Sequence, residues 1–272
     1  IYYNNGIDIF VTKLNATGSA LLGSTYIGGS SNDGFSLNNQ LKFNYADHAR
    51  GEVVLDDNNN IYITSSTNST DFPTSSGAHQ QNLGGDYDAI VACFSSDLST
   101  LLWSTYLGGN SGDAGYSVRV NENNNMVAVC GGTLSSNIGA TSGTIHSANL
   151  GGVDGYIATF DKSNGFLDAL TYLGTSSYDQ AYILEIDANG DIYVTGQTKG
   201  SYPVSAGIYS NNNSSQFIHK MNSTLTTTDF STVFGSGSST VNISITAFMI
   251  DNCENIYVAG WGGSGNNEGN TN

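Results

Sequence analysis

Ser24-Thr25-Tyr26-Ile27-Gly28-Gly29 returns as Ser104-Thr105-Tyr106-Leu107-Gly108-Gly109, then as Leu170-Thr171-Tyr172-Leu173-Gly174, and in decayed form as Ser231-Thr232-Val233-Phe234-Gly235. A second block keeps step with it: Ile61-Tyr62-Ile63-Thr64, Met126-Val127-Ala128-Val129, Ile192-Tyr193-Val194-Thr195 and Ile256-Tyr257-Val258-Ala259. The chain is one supersecondary unit written about four times, and such a period decides architecture before any local pattern does. It names no reaction.

Subtraction fixes the register. Tyr106 to Tyr172 is 66 residues, Ile61 to Met126 is 65, Met126 to Ile192 is 66 and Ile192 to Ile256 is 64. Tyr26 to Tyr106 is 80, so the first unit carries a surplus of about 15 residues, which falls at 34–50. Each unit holds four short β-branched and aromatic runs, in the second unit Tyr116–Val120, Met126–Cys130, Gly155–Phe160 and Ala169–Leu173, separated by Gly, Asn, Ser and Asp. That composition reads as strands. The turns Asp57-Asn58-Asn59-Asn60, Glu122-Asn123-Asn124-Asn125 and Ala188-Asn189-Gly190-Asp191 tolerate positive φ and predict antiparallel hairpins. No window carries apolar residues at helical spacing over three turns, so almost no helix is expected.

The third run is apolar on both faces, as Ile9, Phe10, Val11 and Leu14 show, and predicts sheets covered on both sides. An all-β β-propeller of four-stranded antiparallel blades satisfies this, and a β-sandwich fits a 65-residue, four-strand period poorly. The units fall as a half blade at 1–29, the insertion 34–50, blades at about 45–109, 115–175 and 180–236, and a half blade at 245–272. The halves either close a four-bladed ring or end an arc of a larger propeller. The segment after Gly260 is short beside its counterparts and the chain opens without Met, which favours an arc excerpted from a longer protein. Tyr26, Tyr106 and Tyr172 are expected to be buried between blades.

Asp8–Leu14, Leu21–Gly29, Asn60–Thr67 and Asp71–Thr74 together resemble the bacterial SBBP-type β-propeller repeat, and the resemblance runs along the whole chain, fading after Ser215. It implies a large secreted or surface-displayed protein of the kind common among Bacteroidetes, including proteins associated with gliding motility or type IX secretion.

Asp plus Glu number 23 against 7 Lys plus Arg, a net charge of −16. Duplex nucleic-acid binding draws on clustered cations that release counterions, so no nucleic-acid partner is expected. An anionic membrane surface would repel the chain, and no apolar run approaches the ~18–20 residues that span a bilayer, so no direct membrane insertion is expected. Cys93, Cys130 and Cys253 are too few and scattered for a disulfide framework or zinc site, and His79, His146, His48 and His219 lack ligand spacing, so no metal cofactor is expected. Asp187-Ala188-Asn189-Gly190-Asp191 reads first as a hairpin turn, with weak calcium capture by Asp187, Asn189 and Asp191 as its functional reading; it lacks the closing Glu of an EF-hand. Asp8, Asp88, Asp154, Asp33, Asp113 and Asp179 recur by blade, as turn-forming acids do.

The insertion alone escapes the repeat. It brings Lys42, Phe43, Tyr45, His48 and Arg50 together, and loops on rigid scaffolds are where binding resides. These five are the candidate binding residues, and removing 36–49 is expected to leave the propeller folded. No nucleophile elbow, zincin helix or phosphate loop occurs. The expected function is a non-enzymatic scaffold or adhesion module on the cell surface, with surface or secretion-system proteins or glycans as partners. The alternative is a hydrolase or lyase acting on extracellular polysaccharide.

Overall fold

A computed structural model describes residues 6–36, 38–44 and 47–262. Three four-stranded antiparallel sheets follow one another. Blade I holds β3 (Glu52–Leu55), β4 (Ile61–Thr67), β5 (Asp88–Phe94) and β6 (Leu101–Leu107). Blade II holds β7 (Asp113–Asn121), β8 (Met126–Thr133), β9 (Asp154–Asp161) and β10 (Leu167–Leu173). Blade III holds β11 (Asp179–Ile186), β12 (Ile192–Thr198), β13 (Gln216–Met221) and β14 (Thr228–Phe234). Two-stranded half blades flank them: β1 (Ile9–Leu14) with β2 (Leu21–Ile27), and β15 (Ile243–Ile250) with β16 (Ile256–Gly262). The result is the arc of a β-propeller, strands β3, β7, β11 and β15 running innermost. No helix of the described residues is long and apolar enough to cross a membrane.

In blades I and III and in the last half blade, the hairpin between the first two strands is wound around one carboxylate, and in blade II Asn121 takes that place. Asp56 Oδ1 accepts from Asn58 N at 2.9 Å and Asn60 N at 2.7 Å, and Asp187 and Asp251 repeat the pattern. The blade-repeated acids are structural too. Asp113 Oδ2 accepts from Gly109 N at 2.7 Å and Ser135 Oγ at 2.8 Å while Oδ1 accepts from Thr133, and Asp33 does the same with Gly29, Ser69 and Thr67. Burial pushes Asp113 up to about 7 and Asp88 and Asp154 up to about 6, against the opposing pull of these donors.

The core lies between blades. Tyr62, Trp103 and Val91 of blade I close against Val127, Phe160 and Tyr172 of blade II, and Ala128, Ile157 and Leu173 close against Leu184, Val194 and Phe217. Tyr106 and Tyr172 are fully buried, each facing the preceding blade, with the hydroxyl accepting from Phe72 N or Ile138 N and donating to Ser69 O or Ser135 O. Tyr26 departs from expectation: it is 44% exposed. Phe10, Leu14, Leu21 and Leu22 are more exposed still, which corrects the reading of β1 as covered on both faces. Among the described residues no blade precedes β1–β2, so rings that point toward a preceding blade meet solvent. Met249, Tyr257 and Trp261 are exposed on the opposite half blade.

Candidate functional site: the insertion and an unlatched blade interface

The axis end of the arc is built by a recurrent irregularity. The pairing of β7 with β8 shifts between Gly115 and Ser117, and that of β11 with β12 shifts between Ala181 and Ile183. Each shift is a bulge, and the bulged residue is Tyr116 or Tyr182. A bulge re-aims the side chain of its extra residue. The two rings meet 5.6 Å apart with Leu41 of the insertion in the same buried cluster.

The insertion folds down onto these tyrosines. Asp47, 2% exposed, organises it from the short 3-10 turn Asp47–Ala49. Its Oδ2 accepts from Phe43 N, Asn44 N and the Tyr182 hydroxyl at 2.9, 2.6 and 3.1 Å, and its Oδ1 accepts from Arg50 Nε at 2.7 Å. Asn44 Nδ2 donates to the Tyr182 hydroxyl and to Gln197 Oε1. The Leu41 carbonyl accepts from the Tyr116 hydroxyl and from Gln180 Nε2. Arg50 lies over the Tyr182 ring at 4.5 Å. Burial works against its charge, but the Asp47 carboxylate together with Tyr182 and Tyr116 offsets this and raises its pKa. Burial also pushes the Tyr116 and Tyr182 hydroxyls well above their ordinary range.

Of the predicted binding residues, Arg50 is therefore committed to Asp47 and Tyr182, and His48 packs edge-on against Phe35 at 4.7 Å. Phe43 packs on Tyr178 at 5.1 Å, Lys42 is half-buried with no ion pair among the described residues, and Tyr45 lies outside them. The structure brings together Phe43, His48 and Arg50, but as parts of a cap. The expectation that the insertion has no structural duty is corrected: it satisfies buried polar groups of blades II and III. The turn read for calcium is occupied by the chain's own groups. Asp187 Oδ1 is taken by Asn189 N and Asp191 N, and Oδ2 faces the Lys220 ammonium at 3.2 Å, so a lysine holds the cation's place.

A second feature escaped the sequence reading. After β4, Asp71 Oδ1 accepts from Ser30 N and Oγ at 2.7 and 2.9 Å; after β8, Asn137 Oδ1 accepts from Asn110 N at 2.8 Å. Each latches its loop to the turn leaving the previous blade. After β12 the latch is missing. Thr67 to Phe72 and Thr133 to Ile138 span five positions, but Thr198 to Tyr202 spans four, and the deleted place is that of Asp71 and Asn137. Gly200 stands where Ser69 and Ser135 stand, and Thr175 where Gly29 and Gly109 stand. The two exchanges compensate: a Cβ on Gly109 would strike Ser135 and Asn137, whereas one on Gly200 would strike Thr175. A cleft of about 870 Å³ opens there between blades II and III. Lys199 stands at its edge, its Nζ 4.4 Å from the centre of the Phe43 ring and 5.5 Å from that of Tyr178. Insertion and cleft are therefore neighbours on one end of the propeller.

A family model described as a beta-propeller repeat, SBBP, matches residues 52–73 and 170–203. The second match spans the turn and loop that line the cleft, so the cleft is a variation within a recognisable repeat. No curated protein matches the chain.

Proposed function

We propose that this arc is a non-enzymatic scaffold and adhesion module of a large secreted or surface-displayed protein, holding one loop-bearing end toward a protein or glycan partner. The observation that carries the reading is the division of labour between repeated and unrepeated residues. Residues that recur by blade, such as Asp33 and Asp113 or Asp56, Asp187 and Asp251, are consumed by turns and interfaces. What does not recur, the insertion and the unlatched cleft, lies on one end, mounted on rigid strands as binding loops are. The resemblance to SBBP repeats adds the setting: surface or secretion-system proteins as partners, and an association with gliding motility or type IX secretion. Among the described residues the edge of β1 that faces the axis is unpaired, and it and the exposed rings of both half blades favour neighbouring blades as their cover.

The polysaccharide-degrading alternative draws on one observation: Asp47, His48 and Arg50 are unlike, non-repeating residues at one mouth, set against the repeated tyrosines Tyr116 and Tyr182. Yet Asp47 accepts four hydrogen bonds from the chain itself, and both tyrosine hydroxyls donate to internal acceptors. General acid-base work needs a proton or lone pair that reaches a substrate. Incubating the chain with acidic and neutral polysaccharides separates the readings: retention on polysaccharide or on intact cells without new reducing ends or unsaturated products is expected. Depolymerisation would establish the enzyme instead.

A further inference from the structure

The cleft has a composition at odds with the rest of the chain. The protein carries 23 carboxylates, yet none of the sixteen residues lining the cleft is acidic. Nine are Ser, Thr or Asn, among them Thr175, Ser177, Ser201, Asn212 and Asn213. The one charged lining residue is Lys199, and among the described residues no carboxylate lies within ion-pairing distance of it. Its ammonium is steered instead by the faces of Phe43 and Tyr178, a contact that orients a cation without neutralising it.

We infer that this cleft is a binding site for an oligosaccharide bearing an acidic group, a carboxylate or a sulfate, with Lys199 as the counter-charge and the Ser and Asn side chains meeting the sugar hydroxyls. This deepens the proposed scaffold function and rests on it. A volume of ~300–1,000 Å³ suits a ligand of a few sugar rings. Hydroxyl and amide side chains donate and accept in turn, matching a polyhydroxylated ligand. The charge of −16 does not forbid an anion. Much of it sits around hairpins such as Asp56, Glu122, Asp187 and Glu254 at the far end of the strands, roughly 20 Å away for a seven-residue strand. The Debye length at physiological salt is about 8 Å, so that field is largely screened at the cleft. Asp154 and Asp179 are nearer, but both are fully buried, Asp154 turned onto Leu150 N and Gly151 N and Asp179 onto Thr175 N and Oγ1.

The cleft also explains its own departure from the repeat. A latch like Asp71 or Asn137 would tie the 199–203 loop to the 174–178 turn and fill the space. Its deletion, with Gly200 in the place of a Ser and Thr175 in the place of a Gly across the interface, leaves two turns side by side with no side-chain hydrogen bond between them among the described residues.

The test uses the full 272-residue chain, with alginate and polygalacturonate as acidic probes and dextran as the neutral one, in calorimetry or surface resonance. Saturable binding of an acidic probe is expected, falling about tenfold in Lys199→Gln, as loss of a charged hydrogen bond implies, and unchanged in Lys13→Gln, a lysine of β1 away from the cleft. A latch-restored variant, Thr175→Gly and Gly200→Ser with an Asn inserted between Ser201 and Tyr202, is expected to keep its circular dichroism and thermal midpoint and to lose binding. Binding to neither acidic probe, equal binding of dextran, or full affinity in both variants would overturn the inference. If the chain still engages a surface protein in those cases, the scaffold reading stands without the saccharide; if it engages nothing, both fail.

Discussion

Tyr106 and Tyr26 occupy the same place in the repeat, between Thr and the same apolar-Gly-Gly run, yet one is fully buried and the other 44% exposed. Phe10 and Ile90 make the same contrast one strand away, at 68% and 0%. Nothing local separates the members of each pair. Among the described residues the interior member of each pair has a preceding blade to close on and the outer member does not. In a repeat architecture a residue's position sets which way it points, and the neighbouring unit sets what that is worth.

The largest expected effect tests that statement at its interior end. Tyr106→Ala should cost about 3–5 kcal/mol, because it empties a closed inter-blade site and leaves Phe72 N and Ser69 O without their partner. Denaturant unfolding monitored by circular dichroism reads it, and a loss below about 1 kcal/mol would break the comparison. Next comes the cap. Asp47→Ala strands the Arg50 guanidinium and three donors in a buried site and should cost about 3 kcal/mol. A neutral outcome would restore the insertion as a free loop.

The acids sharpen the contrast through pH. Asp88, Asp113 and Asp154, inside the arc, have folded-state pKa values raised by burial, to about 6, 7 and 6, whereas hydrogen bonds to Asn255 hold Asp251 in the exposed terminal hairpin down at about 2. A raised pKa means the folded state binds protons more tightly than the unfolded. The stability these groups add is complete below about pH 4 and is lost as pH rises through 6–7. The thermal midpoint should therefore fall between pH 5 and 8, and Asp113→Asn should flatten the slope; a midpoint that climbs across this window would contradict the burial of the interior acids. Tyr26→Ala should have the smallest effect, within about 1 kcal/mol.

The period, the strands, the hairpins and the all-β class were legible because repeated Ile-Tyr-Val and Thr-Tyr-Leu-Gly runs carry them locally. The family match at 52–73 and 170–203 agrees with that reading. The role of the insertion was not legible, since Leu41 and Asp47 find their partners 75 and 135 residues away on Tyr116 and Tyr182. The signal that would have found them was the repetition of Tyr116 and Tyr182 itself, two large rings in step at the start of an inner strand. The cleft was legible by subtraction alone, as one residue missing between Thr198 and Tyr202. Tyr26 misled because sequence identity within a repeat says nothing about what packs against each copy.

The central claim is that a blade is sealed by its neighbours, and amide hydrogen exchange on the whole chain, read strand by strand, tests it most directly. Slow exchange is predicted in β5, β8 and β9, buried along their length between sealed blades, with fast exchange in β1 and at the free edge of β16. Equal protection of β1 and β5 would contradict the account.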